Sequence, residues 1–149
     1  MSGLFIPQDL LDKIITHCRS LYPHEACGML VGKGRFAEKI YEMTNIEHSN
    51  VNYLMDPAEQ FKVMKEMRRE GMDMVAIYHS HPHSAAYPSA RDIELAFYPD
   101  SVYVIAGISD KTRPEIRAFE IIDSAVREVE IVSVHFRVKP TPAPLPRGE

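Results

Sequence analysis

Apolar and polar positions along the chain fall into two periods. From Pro7 to Leu21 the apolar side chains Leu10, Leu11, Ile14, Ile15, Cys18 and Leu21 recur at spacings of three and four. That spacing predicts an amphipathic helix with Pro7 at its first turn. Ala26–Val31 is a continuous apolar run stopped by Gly32-Lys33-Gly34, which reads as a buried strand and a turn. A second strand is expected over Arg35–Thr44, while Asn45–Leu54 is polar, aperiodic and left unassigned. Asp56-Pro57-Ala58-Glu59 has the chemistry of a helix start: an aspartate to accept free amides, a proline suited to the first turn, and an acid three residues after the cap. The helix is expected to reach Gly71 with Phe61, Met64 and Met67 inward. Lys62, Lys65, Glu66, Arg68, Arg69 and Glu70 would form its solvated face.

Met72–His79 predicts a strand, Ser80–Pro88 a loop and Ser89–Phe97 a helix; Ser101–Ile108, Glu115–Ile122 and Val126–Val134 predict three more strands. The order α-β-β-α-β-α-β-β-β predicts an α/β protein with one mixed sheet flanked by helices. A doubly wound parallel sheet fits less well, because no helices separate the last three strands. Residues 1–138 form the expected domain, and residues 139–149 (KPTPAPLPRGE), with proline at every second position from Pro140 to Pro146, form an extended tail.

At 149 residues the chain is one domain's length. It is 45% hydrophobic and 26% charged, as in ordinary soluble proteins, and its net charge of −4 points away from nucleic acid. The N-terminus has no basic and apolar leader, and no apolar stretch is long enough to cross a bilayer, so a cytoplasmic protein is expected. Cys18 and Cys27 form no C-x-x-C pair, which argues against a thiolate metal site or a disulfide scaffold.

The candidate chemistry begins at His79-Ser80-His81. Residues two apart on a strand point to the same side, so both imidazoles can face one metal ion. An isolated H-x-H is equally well two polar residues at a strand end. Asp92 follows in the first turn of the helix predicted from Ser89 and could supply a third ligand, leaving one tetrahedral position open. Ser89-Ala90-Arg91-Asp92 also fits a plain helix-capping pattern, and capping would compete for the same oxygens. Metal-assisted hydrolysis needs a base. No H-E-x-x-H motif is present, but Glu25 stands just before the apolar strand Ala26–Val31. His83 and His24 carry no assigned role, and Cys27 reads as a small core residue.

Taken together, Pro23, Glu25 and Gly28 before a strand, then His79, Ser80, His81 and Pro82, then Ser89 and Asp92, resemble the JAMM (MPN-plus) metalloproteases. The resemblance covers roughly residues 5–135. It implies a mixed sheet flanked by helices that resembles the cytidine-deaminase fold, with one Zn²⁺ per chain held by His79, His81 and Asp92. Glu25 would act as general base and then acid, and Ser89 as a hydrogen-bond donor to the oxyanion. The compact chain is similar to stand-alone prokaryotic members, which implies a substrate among ubiquitin-like sulfur-carrier proteins. The bond cut would be an amide at or near the carrier C-terminus, either a tail beyond Gly-Gly or a cysteine adduct, and the polar stretch Asn45–Tyr53 would form one wall of the groove that takes the extended tail. Two alternatives stay open: a zinc amidase acting on small peptides, and a non-catalytic scaffold of the same fold. The oligomeric state, a homodimer included, is not set by the sequence. Zinc deaminases are excluded, since H-x-E and P-C-x-x-C are both missing.

Overall fold

The computed structural model describes residues 3–135; the proline-rich segment 139–149 lies outside them. The elements are β1 (Leu4–Pro7), α1 (Gln8–Ser20), β2 (Cys27–Lys33), β3 (Phe36–Met43), α2 (Pro57–Arg69), β4 (Asp73–His81), α3 (Ala90–Glu94), β5 (Val102–Gly107), β6 (Glu115–Ile122), β7 (Ala125–Val129) and β8 (Ile131–Val134). They build one mixed sheet of eight strands in the order β7-β6-β5-β4-β2-β3-β1-β8. The expected mixed α/β architecture is the one observed. Among the described residues no helix is long and apolar enough to cross a membrane.

Both faces of the sheet are covered. Leu10, Ile14 and Cys18 of α1 pack with Leu30, Tyr78 and Val104 on one face. Met29, Ile77 and Ile105 pack with Val63 of α2 on the other, with Ile93 of α3 against them. This double burial explains why β2, β4 and β5 read as unbroken apolar runs and not as alternating ones.

Four features differ from the sequence expectation. Leu4–Pro7 is a strand (β1), paired in parallel with β3 and β8. It is too short and too dependent on distant partners to show a period. The expected single strand Val126–Val134 is split at Glu130: β7 pairs with β6, and β8 pairs with β1 at the opposite end of the strand order. The sheet therefore curls around α1 until its two end strands are consecutive in the chain, and the Leu4 amide donates to the Glu130 carbonyl at 2.8 Å. Phe61 points outward, 66% exposed, because the inner line of α2 runs through Val63, Met64 and Met67. The Lys65 ammonium lies over its ring one turn later. Finally, α3 ends at Glu94 and not at Phe97. The chain turns there so that the Tyr98 amide donates to the Tyr103 hydroxyl at 3.0 Å and the Gln60 amide to the Tyr98 hydroxyl at 2.9 Å.

The helix start at Asp56 forms as expected, its carboxylate accepting from the amides of Ala58 and Glu59. Gly28 faces Tyr78 across the β2–β4 ladder, and a Cβ at Gly28 would overlap the Tyr78 ring. That ring is fully buried and its hydroxyl shares a 2.6 Å hydrogen bond with His17 Nδ1, so it cannot step aside without losing the bond. Gly28→Ala should therefore destabilise the fold by about 1–3 kcal/mol, the usual range for overpacking. Denaturant unfolding checks this, and a loss below about 0.5 kcal/mol, ordinary for a surface change, would show that the ring has room to move.

Candidate metal centre

Strand β4 runs two residues further than its hydrophobic pattern suggests and takes in Ser80 and His81. Its last three side chains alternate: His79 and His81 face the α2 and α3 side, Ser80 the α1 side. His79 pairs with Cys27 of β2 and Ile105 of β5, so its backbone is held on both sides. Ser80 binds the chain leading into β2: the Ala26 amide donates to Ser80 Oγ at 2.8 Å, and the Ser80 amide to the Ala26 carbonyl at 3.0 Å. The residue before Ala26 is Glu25. A serine that the motif contains without an obvious task thus joins the ligand strand to the candidate base.

His79 Nε2 and His81 Nε2 lie 3.1 Å apart, and Asp92 Oδ2 approaches them at 3.2 and 3.0 Å. Asp92 arrives from the first turn of α3, where it forms a capping box with Ser89: Asp92 Oδ2 accepts from the Ser89 amide at 2.9 Å, and Ser89 Oγ accepts from the Asp92 amide at 3.1 Å. Capping and approach to the histidines coexist on one oxygen. The Ser89 hydroxyl, acting as acceptor toward the helix, keeps its own proton for donation.

The protonation pattern suits a cation. His81 Nδ1–H donates to the Ala85 carbonyl at 2.8 Å, which leaves its Nε2 lone pair facing the cluster. Burial lowers the pKa of His79 and favours the neutral, ligating imidazole. Burial also disfavours charge on Asp92, but its close contacts with the His79 and His81 imidazoles and with the Ser89 amide outweigh it and hold the carboxyl well below its usual range; the same contact raises the pKa of His81 against its burial. The three residues offer ligand atoms within 4.8 Å of one another. Two imidazole nitrogens and a carboxylate oxygen converging on one point repel each other unless protons or a cation lie between them.

Glu25 is 4% exposed, and its Oε1 is buried without a hydrogen-bond partner among the described residues. Burial pushes its pKa up to about 7, with His81 pulling it down and Asp92 and Glu47 pushing it further up. A buried carboxylate oxygen with no partner among the described residues, within electrostatic reach of His81 and Asp92, is one that a metal-associated water would satisfy. On this test the residues present fit a bound divalent ion.

Three neighbours stand apart. His83 is exposed, its ring 5.5 Å from that of Tyr22. His24 is exposed as well, its ring 6.3 Å from that of His48. Burial raises the Cys27 thiol to about 12, which makes it a poor nucleophile. Two residues of the stretch Asn45–Tyr53, expected only as one wall of the substrate groove and given no individual role, meet the cluster directly. Tyr53 stacks on His79, with ring centres 4.6 Å apart and planes at 25°, and buried Asn45 donates to the Glu25 carbonyl at 3.0 Å. Both lie in the segment without a hydrophobic period, where no local signal marks them. Beside Asp92 a cavity of about 180 Å³ is lined by Tyr53, Leu54, Leu95 and Tyr103, among others.

A family profile described as prokaryotic homologs of the JAB domain matches residues 7–122. The chain is 41% identical over 127 residues to the CysO-cysteine peptidase of Mycobacterium tuberculosis, covering 84% of this chain and 87% of that one. It is 38% identical over 94 residues to a protein of Thermus thermophilus named probable TtuB-protein conjugate cleaving protease, covering 62% and 63%. A solution structure of protein DSY2949 from Desulfitobacterium hafniense superposes with a TM-score of 0.81 at 34% identity, covering 89% and 93%. With the profile spanning most of the folded chain, the protein belongs to the prokaryotic JAB-domain family, the compact type of the JAMM/MPN fold.

Proposed function

We propose that this protein is a zinc-dependent peptidase or isopeptidase that hydrolyses an amide bond at or near the C-terminus of a ubiquitin-like sulfur-carrier protein. The observation that carries the reading is the convergence of His79 Nε2, His81 Nε2 and Asp92 Oδ2 within 3.2 Å beside the unpartnered carboxylate oxygen of buried Glu25. The names of the relatives support the carrier: one is called CysO-cysteine peptidase, the other probable TtuB-protein conjugate cleaving protease.

In this reading His79, His81 and Asp92 hold the ion and leave a coordination position open. Zinc, when bound, supplies a Lewis acid that polarises the scissile carbonyl and acidifies water. Glu25 accepts the proton of the attacking water and returns it to the leaving amine. Its raised pKa suits both halves of that transfer near neutral pH. The Ser89 hydroxyl donates to the oxygen that gains charge in the tetrahedral intermediate, a contribution whose loss typically costs about two to three orders of magnitude in turnover. The apolar cavity beside Asp92 would receive part of the extended carrier tail, with the loop carrying Tyr53 as one wall.

Purified from zinc-replete medium, the parent protein should carry close to one zinc per chain by elemental analysis, and His79→Ala or Asp92→Ala should carry far less. A metal-free parent would favour the scaffold alternative. Glu25→Gln should keep its zinc yet lose cleavage of a carrier extended beyond Gly-Gly, followed by mass spectrometry; cleavage at the parent rate would refute the assignment of Glu25.

The same substitution has a signature in the metal-free protein. An unfolded glutamate ionises near 4.5, whereas Glu25 in the fold holds its proton up to about 7. Between those values the unfolded state releases a proton that the native state keeps, so this group's contribution to stability falls as pH rises. Chelator-treated Glu25→Gln should therefore match the parent near pH 4.5 and exceed it above pH 7, by at most about 3 kcal/mol. Equal differences at pH 5 and pH 8 would mean that Glu25 titrates normally.

A further inference from the structure

Asn45 opens the segment that joins β3 to α2 and is 4% exposed. Its carboxamide has no spare capacity. Nδ2 donates to the carbonyls of Glu25 at 3.0 Å and Asn52 at 3.1 Å, and Oδ1 accepts from the amides of Glu47 at 3.1 Å and Leu54 at 3.0 Å. Two donors and two lone pairs are all that the group possesses. No other residue type of this size provides that set: aspartate lacks the donors, and leucine lacks both donors and acceptors.

The four bonds run in two directions. One reaches the main chain of Glu25. Two hold Asn52 and Leu54, the residues on either side of Tyr53, and the fourth tightens the turn at Glu47. Tyr53 in turn lies flat on the His79 imidazole. This contact bears on an oddity of His79, whose Nδ1 is buried without a hydrogen-bond partner among the described residues. A histidine that binds metal through one nitrogen normally has its ring held by a hydrogen bond from the other. His81 has such a bond, to the Ala85 carbonyl, whereas His79 has the face of Tyr53.

We infer that Asn45 is a positioning residue for the reaction: one buried carboxamide that fixes the backbone of Glu25 and, through Tyr53 stacked on His79, the orientation of a metal-binding ring. The inference rests on the roles given to Glu25 and His79 in the reading above. Asn45 itself touches neither substrate nor ion. It ties the base, twenty residues before it in the chain, to the ring stacked on His79, and because the bonded groups are buried, water cannot replace the lost partners cheaply.

The test uses the full chain with Asn45→Ala, Asn45→Asp, Tyr53→Phe and Tyr53→Ala. The zinc dissociation constant is measured by competition with a chelating dye. Turnover of a carrier extended beyond Gly-Gly is measured well below the melting temperature and expressed per folded molecule. Both Asn45 variants should weaken zinc binding and lower kcat by roughly ten- to a hundredfold, the usual effect of removing support behind a ligand, with the smaller share of the change in KM. Tyr53→Phe keeps the ring and should bind zinc like the parent, while Tyr53→Ala should bind like Asn45→Ala. Combining Asn45→Ala with Tyr53→Ala should add little to the larger single loss, because both cut the same linkage. In the metal-free protein, hydrogen exchange at the amides of Glu47 and Leu54 should accelerate in Asn45→Ala.

An Asn45 variant that melts earlier but keeps the parent's zinc affinity and kcat would reduce Asn45 to a brace for the loop and overturn the inference. Unchanged zinc affinity in Tyr53→Ala would overturn it as well. If the parent binds zinc but leaves the carrier intact, the substrate assignment fails on its own. The zinc affinities and exchange rates of the variants still decide the role of Asn45.

Discussion

Everything at this site hangs on the way β4 ends. A strand lying between two others has its backbone fixed on both sides, and its alternation sends consecutive side chains to opposite faces. At 79, 80 and 81 that alternation puts two imidazoles on the face beneath α2 and α3, and a hydroxyl on the face against α1. The hydroxyl engages the Ala26 amide, one residue beyond Glu25. One strand end thereby orients the two candidate ligands and anchors the candidate base, and its precision comes from the ladder with Cys27 and Ile105 and not from a loop.

Placing polar groups there is costly. His79, His81 and Glu25 are each buried to within a few per cent of complete, in a sheet whose neighbouring positions are Met29, Ile77 and Ile105. Water is largely excluded, so each polar atom must find a partner in the protein or in a bound group. The bonds from Ala85 and Asn45 meet part of that need. Among the described residues, the atoms left over are Glu25 Oε1 and His79 Nδ1, together with Arg35 Nη1. Unmet demand of this kind costs stability, and the same low dielectric strengthens every charge interaction within the cluster.

The legible part of this arrangement is the local part. His79 and His81 are two apart, Ser89 and Asp92 three apart, and Pro23, Glu25 and Gly28 fall within six residues, so periodicity and spacing bring out each group. What joins the groups was invisible for the opposite reason. Asn45 works through partners at 25, 47, 52 and 54, and a polar segment with no period gives no sign of which side chain turns inward. The same holds for β1, whose reason to be a strand is a parallel partner more than a hundred residues away, and for Glu130, where one predicted strand changes partner. Phe61 is apolar enough to suggest an inward position, but Val63 and Met67 set the phase of α2 and turn it outward.

Asp92 joins two readings that, in the sequence, looked like rivals. A five-residue helix cannot stand on its own hydrogen bonds; it depends on the capping box, in which Asp92 and Ser89 satisfy each other's amides. The oxygen that closes the box is also the one that meets both histidines. Whatever the histidines hold is therefore coupled to the start of α3. A cation drawn to Asp92 Oδ2 would act on the oxygen that accepts the Ser89 amide, and so on the residue that caps α3. The capping pattern is the device by which Asp92 is aimed at the histidines, and it presents Ser89 and the candidate third ligand as one unit four residues long.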